Sequence, residues 1–347
     1  MGQLGPEQPL FGGNTSALQV LRNTAPVYPA SSWLQQPPSP GPSTIGLEMM
    51  DLELLHHFTT STFLTITTDE GIREMYRLAI PRIALSHEIL MHALLAMSAL
   101  HLSVLRSSGN SYAAAAAEHH SRAVGLLRTA FPVRDTEHGN AIFVTSSLTA
   151  HYAYACRPGV EGMLPTAPAW VPLFRGILET IHGCWDWLDK GEIAPMWIRK
   201  DIDQSRYVED IEFQSSLLDL SRRGAPGELD PEELEDDHVL GIYRDEMVEL
   251  ENSWLLFRTT EPRVSSAFDW PCNMSLEFVQ FIKERRPRAL VMLAHHCVLI
   301  ESMEDQYWWA KGRGADELRR IEGVLDEKWK HWLDWPMAKC KVSTGPG

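Results

Sequence analysis

Apolar residues recur along this chain at intervals of three and four and seldom at intervals of two, so its segments can bury a face as helices but not as strands. The clearest case is "LSHEILMHALLAMSALHLSVL", residues 85–105. There Leu90, Ala93, Leu94, Met97, Leu100 and Val104 form one stripe, with Ser86 placed to cap and Glu88 in the first turn, where it suits the helix dipole. Gly109 and Asn110 then turn the chain into "SYAAAAAEHHSRAVGLLRTAF", a second helix whose alanines permit close approach. The pair reads as a helical hairpin.

The same period continues on both sides. "MDLELLHHFTTSTFLTI" reads as one helix with Leu52, Leu55 and Phe58 on a face. Further helices are expected at "NAIFVTSSLTAHYAYA", "PLFRGILETIHGCWDWL", "ELEDDHVLGIYRDEMVELENSWLLF", "SLEFVQFIKERR" and "RALVMLAHHCVLIESM". A last one, "ADELRRIEGVLDEKWKHWLDW", carries Leu318, Ile321, Leu325, Trp329 and Trp332 on one side. The polar stretch 221–236 reads as an internal loop. The expected fold is all-α, a multi-helix bundle of antiparallel helical hairpins spanning residues 47–340. Residues 1–46 are rich in Pro, Ser and Gly without an apolar period and read as a disordered leader.

Charge and cysteine usage narrow the function. A net charge of −15 opposes a sequence-independent grip on nucleic acid. The densest basic run, "KERRPR" at 283–288, lies in an apolar helical setting. Five scattered cysteines without a CxxC suggest neither a zinc module nor a disulfide framework and fit a reducing compartment. The N-terminus lacks the pattern of a secretory signal, and the apolar runs at 89–105 and 289–300 are too short to span a bilayer.

Several chemistries find little support in the residues. His87-Glu88 resembles the start of a zinc-protease motif, but the next histidine is His92, five residues on, which puts the rings about 140° apart on a helix. The adjacent pairs His56/His57, His119/His120 and His295/His296 each point one ring inward at most and read as core histidines. "DDHVL" at 236–240 and "DIDQ" at 201–204 each lack an acid that terpene-type sites need, and no nucleotide or nucleophile motif is present. No catalytic residue, metal site or cofactor is expected. The remaining candidate is a ligand pocket in "VMLAHHCVLIESMEDQYWWAKGRG", where Met292, His295, His296, Met303, Trp308 and Trp309 would suit a large apolar molecule such as a sterol or polyketide.

Three stretches, "LLHHFTTSTFLTI" at 54–66, "IPRIALSHEILMHALLAMSALHLSVL" at 80–105 and "FVQFIKERRPRALVMLAHHCVLIESM" at 278–303, are similar to the C-terminal regulatory domain of fungal zinc-cluster transcription factors of the sterol uptake control type. The segment 307–336 extends the last block to a terminal Leu-Asp-Trp-Pro. The resemblance implies an all-helical effector domain, sited in the nucleus or else the cytoplasm, that senses a lipid-like ligand or docks the transcription machinery. Members of that family read DNA through six cysteines on two zinc ions, yet no cysteine precedes Met49 here. Either the product is a co-regulator that relies on a DNA-binding partner protein, or a DNA-binding exon belongs upstream. Two other readings stay open: an enzyme or carrier for a hydrophobic metabolite on the same scaffold, and a self-associating homodimer.

Overall fold

The computed structural model describes residues 48–106, 110–130, 133, 135–156, 170–188, 192–196, 211–217, 219–224, 229–259 and 264–341. No β-strand occurs among them. The expected leader at 1–46 and the "DIDQ" segment lie outside the described residues.

Helix α1, Met49–Thr60, runs into a 3-10 turn at Thr62–Thr65, so the single helix expected over residues 50–66 is in fact broken. Its buried residues are Leu54 and Phe58, while Leu52 is exposed. Next come α2, Glu70–Glu74, a π turn at Met75–Ala79 and α3, Ile80–Ala84, which follow one another without a gap. Asp69 caps α2 by accepting from the Ile72 N–H at 3.1 Å. The central α4, Glu88–Leu105, takes His87 rather than Ser86 as its N-cap, and no side chain closes that end. Val104, assigned to the core stripe by its spacing, is exposed in the last turn.

α4 packs against α1, against α5 (Asn110–Leu127) and against α6 (Thr136–Ala155). Ala116 and Ala123 of α5 are buried, as the expected close approach requires. α6 pairs with α7, Trp170–Leu188, and α7 leads on to α11, Val264–Asn273. Between those two in sequence lie α8 (Ile211–Leu217), α9 (Glu232–Glu235) and α10 (Asp237–Thr259). Residues 221–236 are therefore not all loop.

The second half is organised around α13, Pro287–Glu301, which is buried continuously from Arg288 to Ile300. Each Leu, Ile or Val taken out of water there contributes about 1.5–3 kcal/mol. Because this helix is enclosed on every side, His295 and His296 are both fully buried, against the expectation that only one ring of a neighbouring pair points inward. α12, Leu276–Lys283, ends just before it in a Schellman turn: the Arg286 N–H donates to the Phe281 carbonyl and that of Arg285 to Ile282, both at 3.0 Å. Arg285 takes the left-handed conformation (φ 58°) usually left to glycine, and the Arg286 guanidinium covers the Phe281 ring.

The terminal helix read from the sequence is three pieces: α14 (Arg313–Val324), a 3-10 segment (Glu327–Leu333) and α15 (Asp334–Lys339). α14 lies so close to α13 that a Cβ on Gly314 would stand 2.4 Å from the Cys297 carbonyl oxygen. Glu301 and Glu304 accept from the Ala315 and Gly312 N–H groups at 2.9 and 3.2 Å and so close the N-terminus of α14.

Candidate functional site

The six residues proposed from the sequence do not converge on one point. His295 donates from Nδ1 to the Val291 carbonyl at 2.8 Å, and its ring stacks on Trp335 with centroids 5.3 Å apart. His296 turns the other way, its Nε2 lying 2.7 Å from the Ala267 carbonyl of α11. Met292 and Met303 are fully buried between these groups and the rest of the core. Trp308 and Trp309 reach back to the start of the domain, donating to Thr65 Oγ1 at 2.9 Å and to the Thr65 carbonyl at 3.2 Å. Trp308 also stacks on His101 at 4.9 Å.

Trp309 and His296 do share a neighbour, Phe268, and through it they border a cluster that sequence reasoning passed over. His151 of α6 stands edge-on to Phe174, Phe268 and Trp309, with ring centroids 5.6, 5.8 and 5.7 Å away. Tyr154, one turn further on, makes similar edge contacts with Phe174 and Phe268 at 6.3 and 5.3 Å. Phe174 and Phe268 are themselves stacked at 4.2 Å, and the Arg313 guanidinium lies 5.4 Å from the Tyr154 ring centre. Four elements thus supply one aromatic box: α6, α7, α11 and the turn before α14.

The polar group in this box is an acceptor. His151 Nδ1 lies 2.7 Å from the Ser147 carbonyl, which can only accept, so Nδ1 carries the proton. Nε2 is left with a bare lone pair, buried and without a hydrogen-bond partner. Burial lowers the pKa of the ring, outweighing the backbone hydrogen bond that raises it, and the imidazole stays neutral. Such a group can take one hydrogen bond from a hydroxyl on an otherwise apolar molecule. The only sequence signal for it was "TAHYAYA", 149–155, which places His151 and Tyr154 one turn apart.

A second feature is on the surface. Leu52, Leu55, His56 and Thr59 of α1 face Pro81, Arg82 and Leu85 across an open groove of about 450 Å³. Leu85 is 72% exposed at its rim, and Arg82 is held by an ion pair to Glu192. Among the described residues, no three His, Cys, Asp or Glu side chains come together in a way that could hold a metal ion. Of the basic run at 283–288, Arg288 is buried and bonds to the Leu220 and Leu229 carbonyls, and Arg286 pairs with Glu284 at 2.8 Å.

Residues 53–197 match the family described as the fungal specific transcription factor domain. A Zn(2)-C6 fungal-type transcription factor of Gibberella zeae is 25% identical over 344 residues, covering 89% of this chain and 66% of its own length. The Orsellinic acid/F9775 biosynthesis cluster protein D of Emericella nidulans is 26% identical over 319 residues, 83% of this chain and 61% of its own. Sterol uptake control protein 2 of Saccharomyces cerevisiae is 36% identical over 103 residues, 29% of this chain and 11% of its own. The chain spans a little under two thirds of the first two relatives.

Proposed function

We propose, from a chain whose residues 53–197 match the fungal specific transcription factor domain, that it is a transcriptional regulator of biosynthetic genes. The observation that carries this reading is the coincidence of that match with the α1–α7 scaffold, which supplies both the surface groove and most of the aromatic box. No cysteine precedes Cys156, so the chain itself offers no six-cysteine zinc cluster, and its net charge of −15 disfavours a direct hold on phosphates. Its partners are those of transcription, and the site of action is the nucleus.

The signal it reads is a hydrophobic molecule carrying a hydroxyl, sterol- or polyketide-like, held against Trp309 and Phe268 with His151 Nε2 accepting the hydroxyl. The names of the yeast and Emericella relatives support that choice of chemistry. Residues 47–340 act as the effector unit, and the groove at Leu52, Pro81 and Leu85 is the face offered to the transcription machinery.

Fusing the chain to a heterologous DNA-binding domain tests the regulatory reading. A reporter change in either direction, abolished by Leu85→Asp at the groove, is the expected result. No change from a fusion that accumulates to normal levels overturns it. A second reading, a carrier or enzyme for a hydrophobic metabolite, draws on the same aromatic box. If deleting the gene left every pathway transcript unchanged while an intermediate accumulated, this second reading would replace the first.

A further inference from the structure

Two imidazoles meet in an unusual way where α1, α4 and α5 come together. His92 of α4 and His119 of α5 approach through the same ring atom, Nδ1 to Nδ1, at 2.9 Å. Each ring turns its other nitrogen to a carboxylate: His92 Nε2 is 3.4 Å from Glu88 Oε1, and His119 Nε2 is 3.2 Å from Asp51 Oδ1. The sequence Glu88–His92–His119–Asp51 is thus a row of four groups joined by three contacts, and both histidine side chains are about nine-tenths buried.

The protons can be counted. A carboxylate only accepts, so each outer contact needs an N–H on the ring nitrogen. The central contact needs one donor and one acceptor. Three N–H groups therefore satisfy the row. Two neutral imidazoles carry two, which leaves a bare nitrogen against an oxygen or a second nitrogen. Two imidazolium rings carry four, which sets N–H against N–H at 2.9 Å.

We propose that His92 and His119 hold one ionising proton in common between Asp51 and Glu88, and that this singly charged pair is a latch fastening α5 to α4 which opens when acid supplies a second proton. The surroundings fit a single charge. Asp51 faces the pair from α1 and Glu88 from α4; from α5 come Arg122, whose charge opposes protonation of His92, and Glu118, which pairs with Arg122 at 2.8 Å. His120, the next residue, turns away to stack on Tyr152 of α6 at 4.0 Å. Burial and the neighbouring His119 charge push His92 down, as expected of the ring that remains neutral. In the other imidazole pair of this layer, His57 Nε2 lies 3.3 Å from His101 Nδ1, and that same His101 nitrogen also meets the Thr62 hydroxyl at 3.1 Å. Burial there holds His101 at about 4, so it makes no such row.

Ring nitrogen NMR on the 15N-histidine-labelled full chain tests the latch. The expected result at pH 7 is three ring N–H groups for the pair, one ring charged and the other neutral. As the fourth proton enters on acidification, amide exchange in α5 should rise at least tenfold relative to α13, after correction for the intrinsic pH dependence. Two ring N–H groups at pH 7, or a fourth proton taken up without faster exchange in α5, overturns the proposal. Asp51→Asn, at a half-exposed carboxylate, and Glu88→Gln, at an exposed one, should each make the shared proton leave at a pH lower by one unit or more. A titration unmoved by both also overturns it.

Discussion

Seven imidazoles, those of His57, His92, His101, His120, His151, His295 and His296, are pushed below their ordinary pKa with burial as the leading cause. For His101, His120, His295 and His296 the value falls to about 4. The unfolded chain protonates such rings near 6.5 and the folded one only near 4, so within that window the unfolded state binds more protons. Stability is therefore full above pH 6.5 and declines as pH falls towards 4. Glu246, Glu301 and Glu317, raised by burial, work in the opposite sense, but they are three against seven. Urea unfolding midpoints should drop steadily between pH 7 and pH 5, and a flat profile would contradict the buried, neutral state of these rings. A different residue, Gly314, sets the spacing of α13 and α14. Gly314→Ala places a carbon against a backbone oxygen that cannot move away and should cost about 3 kcal/mol, read as a lower melting temperature. That the paired histidines supply core residues was legible from their place on apolar stripes; that His295 and His296 both turn inward, and that His151 joins them in the core, was not. The need for glycine at 314 was not, because it arises from the carbonyl of Cys297 on another helix.

At the scale of the element, the junction between α12 and α13 carries two predictions. Arg285 occupies the left-handed position of a Schellman turn, so Arg285→Gly should raise stability by about 0.5–1 kcal/mol in a denaturant titration. Arg288, two residues into the polar-to-apolar switch, sends Nε to the Leu220 carbonyl at 3.1 Å, approaches Glu233 at 3.5 Å and lies over Trp329. Arg288→Ala would take the guanidinium donor from the Leu220 and Leu229 carbonyls, at a cost of about 3 kcal/mol. Limited proteolysis should then cut first within 219–236, the segment the guanidinium holds down. Helices with an unbroken three-and-four period, such as α4 and α13, were readable from residue spacing alone. α11 was not expected; Pro271, a residue that ordinarily interrupts a helix, sits inside it. The breaks at 62–65 and 327–333 were missed for the converse reason: the apolar spacing runs on through them while the backbone tightens to a 3-10 turn.

Across the whole molecule, what could be read from the sequence was the class of fold and the family likeness, each of which depends on patterns local to a segment. The aromatic box could not be read, since His151 and Trp309 are brought to 5.7 Å by packing between segments far apart in the chain. The proposed pocket residues share one stretch of sequence, but their helix is enclosed on all sides, which sends His295 towards Trp335 and His296 towards α11. With the core residues described from Leu54 onward carrying its stability, the domain expressed as residues 48–341, starting at Glu48, should melt at the same temperature as the full chain. A midpoint lower by several degrees would place part of the domain's stability before that residue.

The indoles of Trp308 and Trp309 hang from Thr65, and the Tyr307 hydroxyl reaches Thr68 at 3.4 Å, so the earliest turn of the domain is covered by one of the last to be synthesised. A ribosome must therefore finish nearly the entire chain before the first helices gain their outer wall. Any message cut short of Tyr307 yields a protein with an open greasy flank at its beginning, a natural client for chaperones and proteases. Stop codons anywhere before Tyr307, however late, should for that reason behave alike.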